Sequence, residues 1–235
     1  MEHQSKQAQR IQTSFINGVE RKALVWLAER QPRWVTSDFL TLVGTFGALL
    51  VGAGFVLTHY SINWLWLSIA GLAINWYGDS LDGTLARVRN SQRPIYGYYI
   101  DHTIDCINEA LMFIGAGLSP LMNLPLALML FILYLFLTIN VSMNAHLKSE
   151  FRLTYAKLGP TEFRILIALG CLVLIASPTC DDFTLSVRLL GHTTVLSTLD
   201  LLALFLVVLL TVIYLCTIVS DARKYAKIDP PKPRR

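Results

Sequence analysis

Four aspartates draw attention in the stretch DSLDGTLARVRNSQRPIYGYYIDHTID, residues 79–105, because strongly apolar sequence lies on both sides of it. Asp79 and Asp82 are three residues apart and Asp101 and Asp105 four apart, so on two helices each pair projects from one face. Two such pairs facing each other make a cation site. Carboxylate oxygens suit hard dications such as Mg²⁺ or Mn²⁺, and ionised groups near hydrocarbon are costly enough to mark function. The expected chemistry is therefore metal-assisted and sits at a membrane edge. Two divalent ions about 4 Å apart can be bridged by such a site and neutralise charge that develops in a reaction there.

The helices carrying these residues belong to a chain built for lipid. Of 235 residues, 54% are hydrophobic and 15% charged, and the mean hydropathy of +0.50 exceeds that of ordinary soluble domains. Each span needs about 20 residues, so six helices and short loops nearly exhaust the length and the chemistry must sit within the bundle. The expected fold is all-α and integral to the membrane, a six-transmembrane-helix bundle with an N-terminal amphipathic interfacial helix; open sheet edges cannot be satisfied in lipid. Spans are predicted at about Phe39–Leu57, capped by the Thr36-Ser37-Asp38 cluster, and at Ile62–Arg87, Gly97–Leu118, Leu124–His146, Thr161–Ala176 and Leu199–Val219. A long loop is expected over 177–198. These spans divide the chain into a cytoplasmic segment 1–38, a membrane catalytic domain 39–220 and a cytoplasmic tail 221–235.

The opening MEHQSKQAQR has no apolar stretch behind it, so no cleaved signal is expected. Phe15, Val19, Leu24, Leu27 and Trp34 alternate with Arg21, Lys22, Arg30 and Arg33 as in a helix lying along the membrane surface, with docking on a soluble partner as the alternative. Counting Lys and Arg over alternate loops puts nineteen of twenty on one side, leaving Arg188 alone on the other. Positive charge favours the cytoplasmic face, so both termini and the aspartates are expected there. The net charge of +4 is spread along membrane flanks rather than gathered in one patch, which favours anionic lipid over nucleic acid. Cys106, Cys171, Cys180 and Cys216 lack metal-ligand spacing and read as buried free thiols.

The aspartate stretch resembles the signature of the CDP-alcohol phosphotransferase family, D-x2-D-G-x2-A-R-x8-G-x3-D-x3-D. Asp79, Asp82, Gly83, Ala86, Arg87, Gly97, Asp101 and Asp105 match it in order, with nine residues rather than eight between Arg87 and Gly97. The resemblance implies a CDP-linked donor, which is CDP-diacylglycerol or a CDP-linked small alcohol, and an acceptor alcohol or diacylglycerol, with CMP released. It also implies metal binding by Asp79, Asp82, Asp101 and Asp105, with Asp105 serving in addition as general base, and a homodimer. Asp105 would take the proton of the acceptor hydroxyl, which attacks the β-phosphorus of the donor. Gly83 and Ala86 would let the nucleotide approach, Arg87 would pair with a donor phosphate and Gly97 would pack near the cytidine. On their own, Gly83 reads rather as an Asp-Gly turn and Arg87 as a basic membrane flank.

Gly159-Pro160-Thr161-Glu162-Phe163-Arg164 begins the fifth span at the same face. It resembles a GPTE-type segment of choline and ethanolamine phosphotransferases, which implies that Glu162 and Arg164 border the acceptor and tilts the donor towards a CDP-linked small alcohol. A capped helix start with Arg164 as a basic anchor is the plainer reading. Asn75 and Glu109 lie one turn from Asp79 and Asp105, and a hydrogen bond between them below the metals is expected. Asn140 and Asn144 form another one-turn pair, and His102 and His146 read as hydrogen-bonded or interfacial rather than ligating. The rival from another class is a multi-pass cation transporter using intramembrane aspartates. It calls for acidic groups spread through the membrane depth, whereas these cluster at one end.

Overall fold

A computed structural model describes residues 9–11, 17–148, 150–152, 160–177, 184–189 and 192–231. The chain is predominantly helical: α1 (Asn17–Glu29), α2 (Ser37–Leu57), a single 3-10 turn at Ile62–Trp64, α3 (Leu65–Val88), α4 (Pro94–Gly117), α5 (Leu124–Lys148), α6 (Pro160–Ala176) and α7 (Thr198–Ile228). By length and composition α2, the Leu124–Asn144 part of α5, and α7 are candidates to cross a membrane, with hydropathies of 2.1, 2.3 and 2.9. Large apolar side chains cover their outer faces, among them Leu42 and Phe46 on α2, Ile132 and Ile139 on α5, and Phe205 and Val212 on α7.

Two features depart from the expected all-helical pattern. The 177–198 loop contains an antiparallel hairpin, β3 (Thr184–Leu189) with β4 (His192–Ser197), in a stretch whose Thr and Val residues favour extended backbone. A short parallel pair also joins β1 (Gln9–Ile11) to β2 (Glu150–Arg152). The last helix continues to Ile228 rather than ending near Val219, and α4 begins at Pro94, with proline at its first turn, rather than at Gly97. Of the thiols, Cys171 is buried, Cys106 intermediate and Cys216 exposed on α7, so the burial expected of all of them holds for Cys171 alone among these three. Cys180, Phe15 and Gly159 lie outside the described residues.

Glycine sets the spacing of the helices that matter most. A Cβ at Gly47 would stand 2.3 Å from the Asn75 amide nitrogen, one at Gly78 2.3 Å from that of Gly44, and one at Gly115 2.3 Å from the Gly52 Cα. The backbones of α2, α3 and α4 therefore touch, as small residues permit between helices in lipid. Ser68 adds a buried hydrogen bond from its hydroxyl to the Val51 carbonyl, 2.9 Å. Below the glycines, Val51, Phe55, Leu65, Leu72, Leu121, Cys171 and Leu174 form an apolar cluster joining α2, α3 and α6. A second one, Leu24, Ala28, Val35, Leu40, Leu81 and Leu85, packs α1 and the start of α2 on the end of α3.

The ends of the elements are tied by specific bonds. Thr36 caps α2 by accepting from the Phe39 amide, 3.1 Å. A reciprocal box of Ser197 and Asp200 opens α7, and Asp200 also accepts from the Asn123 backbone at 2.7 Å. The end of α3 is closed by Asn90 at φ 52°, with Asn90 N–H donating to the Arg87 carbonyl and Ser91 N–H to that of Ala86. This is the reciprocal pair of a helix stop with a left-handed residue.

Candidate active site

The four aspartates arrive from two helices, Asp79 and Asp82 on α3 and Asp101 and Asp105 on α4. Carboxylate oxygens of Asp79, Asp101 and Asp105 come within 4.8 Å of one another. Such convergence of like charges is unfavourable unless a cation is shared. An all-oxygen, anionic donor set of this kind fits a hard dication. Asp82 stands apart from that trio: its Oδ2 accepts from the Thr41 hydroxyl of α2 at 2.7 Å, and its Oδ1 accepts from the Gly83 amide.

Arg164 reaches the trio from a third helix. Arg164 of α6 donates from Nη2 to Asp79 Oδ2 at 2.6 Å and from Nε to Asn75 Oδ1 at 2.9 Å. Asn75, 1% exposed, in turn donates from Nδ2 to the Gly44 carbonyl at 3.0 Å. Both ends of its amide are thereby committed to α2 and α6, which replaces the expected bond between Asn75 and Glu109. Glu109 Oε2 and Asn108 Oδ1 are buried and have no hydrogen-bond partner among the described residues. Glu162, the other expected acceptor contact, is buried at the start of α6.

The remaining signature positions lie on the same two helices, α3 and α4. Gly83 faces the Arg87 guanidinium, which donates to the Thr84 hydroxyl at 2.9 Å. Ala86 is half-buried, and Gly97 is exposed with nothing within 4 Å of the place where a Cβ would stand. The histidine His102 turns back along α4, with Nδ1 3.1 Å from the Tyr98 carbonyl and its ring stacked on Tyr98. Asn140 and Asn144 are bonded to each other, and Asn144 reaches Asp221 at 2.8 Å and Tyr225 at 2.6 Å, so this pair joins α5 to α7. The side chain of His146 lies outside the described residues.

Two partners escape a reading by spacing alone, the Thr41 bond to Asp82 and the Arg164 bond to Asp79, because they come from helices 41 and 85 residues distant in sequence. The available signal for the first was two threonines, Thr41 and Thr45, one turn apart in an otherwise apolar span.

Residues 34–219 match the family model for CDP-alcohol phosphatidyltransferase. Among curated proteins, a phosphatidylinositol phosphate synthase of Cutibacterium acnes (strain DSM 16379 / KPA171202) is 36% identical over 86 residues, which is 36% of this chain. The match spans 38% of that relative's length. The region matched by the family model begins before α2 and ends within α7, taking in each helix that brings an aspartate or arginine to the cluster; the chain belongs to the CDP-alcohol phosphatidyltransferase family.

Proposed function

We propose that this chain transfers a phospho-alcohol or phosphatidyl group from a CDP-linked donor to an acceptor hydroxyl, releasing CMP, as a step of phospholipid synthesis. The observation that carries the reading is the meeting of Asp79, Asp101 and Asp105 oxygens within 4.8 Å in a member of this family. Asp79, Asp82 and Asp101 are the proposed ligands of Mg²⁺ or Mn²⁺, with Asp105 bordering the same site and completing it. When bound, the cations neutralise charge on the diphosphate and its leaving group. Asp105 accepts the proton of the acceptor hydroxyl, whose oxygen bonds to the β-phosphorus of the donor as the bond to CMP breaks. Arg87 pairs with a donor phosphate, the small Gly83, Ala86 and Gly97 leave room for the nucleotide, and Glu162 and Arg164 face the acceptor.

Around this site we propose six spans, α2 to α7, with α1 at the interface. The 24 residues of α3 and of α4 exceed the usual need of a span. Nineteen of the twenty Lys and Arg fall on one side in this arrangement, supporting a cytoplasmic site and cytoplasmic termini. The family resemblance adds a homodimer.

The test is release of CMP from CDP-diacylglycerol and from CDP-linked small alcohols by the purified protein, with and without Mg²⁺ or Mn²⁺. Release that needs both cation and acceptor is expected, and the panel identifies the donor class. Cation flux into vesicles without any CMP release would instead favour the transporter.

A further inference from the structure

Glu20 belongs to α1, ahead of the region 34–219 that the family model matches, yet it is only 9% exposed. Its Oε1 accepts two hydrogen bonds from two different helices: Trp76 Nε1 of α3 at 2.8 Å and the Thr161 hydroxyl of α6 at 2.6 Å. Trp76 follows Asn75 and precedes Asp79 by three residues; Thr161 precedes Glu162 and Arg164. These are the two helices that Arg164 joins through Asn75 and Asp79. One carboxylate oxygen thus fastens the first turn of α6 to α3 just before the residue that reaches the aspartates.

The body of α1 does not depend on this contact for its own place. Leu24 and Ala28 are buried against Leu81 and Leu85. Beyond the helix, Arg89 donates to the carbonyls of Val35, Gln31 and Pro32 at 2.5, 2.9 and 2.9 Å, while Gln31 donates to the Tyr77 hydroxyl at 2.7 Å. The anchored helix offers Glu20 as a fixed acceptor, and the element located by it is the start of α6.

We propose that Glu20 is a positioning residue, setting the first turn of α6 against α3 so that Arg164 meets Asp79. The proposal rests on reading Asp79 as part of the active site. It requires an acceptor oxygen at Glu20 and does not require the charge, since both bonds go to the same oxygen.

The test compares full-length wild type with Glu20→Gln, Glu20→Ala, Thr161→Val and the Ala/Val double variant. Metal-dependent CMP release is measured as kcat and KM, and amide exchange is followed over the first turns of α6. Glu20→Gln keeps the acceptor and is expected to stay within about twofold of wild type. Glu20→Ala and Thr161→Val are expected to lose roughly 10- to 100-fold in kcat with little change in KM for the CDP-alcohol, the scale of a small misplacement of a catalytic constellation. The double variant should be no slower than the worse single one. Exchange in α6 should quicken in both single variants while that in α3 holds. Wild-type kcat and exchange in Glu20→Ala would overturn the proposal, as would Glu20→Gln behaving like Glu20→Ala. Should Glu20→Ala fail to fold, Thr161→Val decides by the same readouts. Absence of CMP release from wild type would sink the functional reading alone, because exchange still reports whether Glu20 sets α6.

Discussion

Asp79 and Asp105 sit in one cluster but are asked for different work, and amide substitution separates them. Asp105→Asn preserves size and cannot take up the hydroxyl proton, so metal and CDP-alcohol should still bind while transfer falls by about 10²- to 10⁴-fold. Asp79→Asn exchanges an anionic ligand for a neutral one, and cation affinity and turnover should fall together. Metal-dependent CDP-alcohol binding beside single-turnover CMP release checks both; loss of cation binding in Asp105→Asn as complete as in Asp79→Asn would make Asp105 chiefly a ligand. At this scale the meeting of Asp79, Asp101 and Asp105 was readable because three- and four-residue intervals on a helix share a face, whereas Asp82, spaced just as closely, stands outside that trio. The engagement of Asp82 by Thr41, and of Asp79 by Arg164, was not, since a one-dimensional pattern carries no information about which face of a distant helix will be turned inward.

Helices as units were legible for a similar reason: long apolar runs in lipid have no alternative to satisfying their backbone internally. How closely they approach was not read, because the glycines of α2 and α3 are silent about their partner until both backbones are placed. Gly47→Ala puts a methyl carbon 2.3 Å from a backbone nitrogen and Gly78→Ala does the same from the other side. Each is expected to push α2 from α3, to cost about 1–3 kcal/mol as overpacking does, and to lower turnover through the displaced Asn75. Gly170→Ala, with nothing within 4 Å, is the counterpart and should be neutral or stabilising. Thermal unfolding in one detergent, alongside CMP release, measures all three. The β3–β4 hairpin escaped for the opposite reason, its short run of Thr and Val being masked by its place between two strongly apolar helical segments.

For the molecule as a whole, the charge bias leads to a labelling pattern. Cysteines replacing Gln92 and Asp229 should react with an impermeant reagent from the same face, and one replacing Ser186 from the other. Reaction of the first two from opposite faces would require an odd number of spans between them. The spans are also unequal in a way that matters to the lipid. In the proposed arrangement α6 offers 17 residues, about 26 Å at 1.5 Å per residue, whereas α7 offers 31, about 46 Å. If α6 spans, a hydrocarbon layer of about 30 Å would be met by thinning beside it, by flanking side chains reaching to the interface or by association with a second copy. Thinning at the end where Thr161, Glu162 and Arg164 begin that helix would give a lipid drawn towards the cluster less depth to traverse there. Turnover in vesicles of shorter acyl chains should exceed that in longer ones at equal headgroup composition, and a rate indifferent to chain length would show that the bilayer is not deformed at α6.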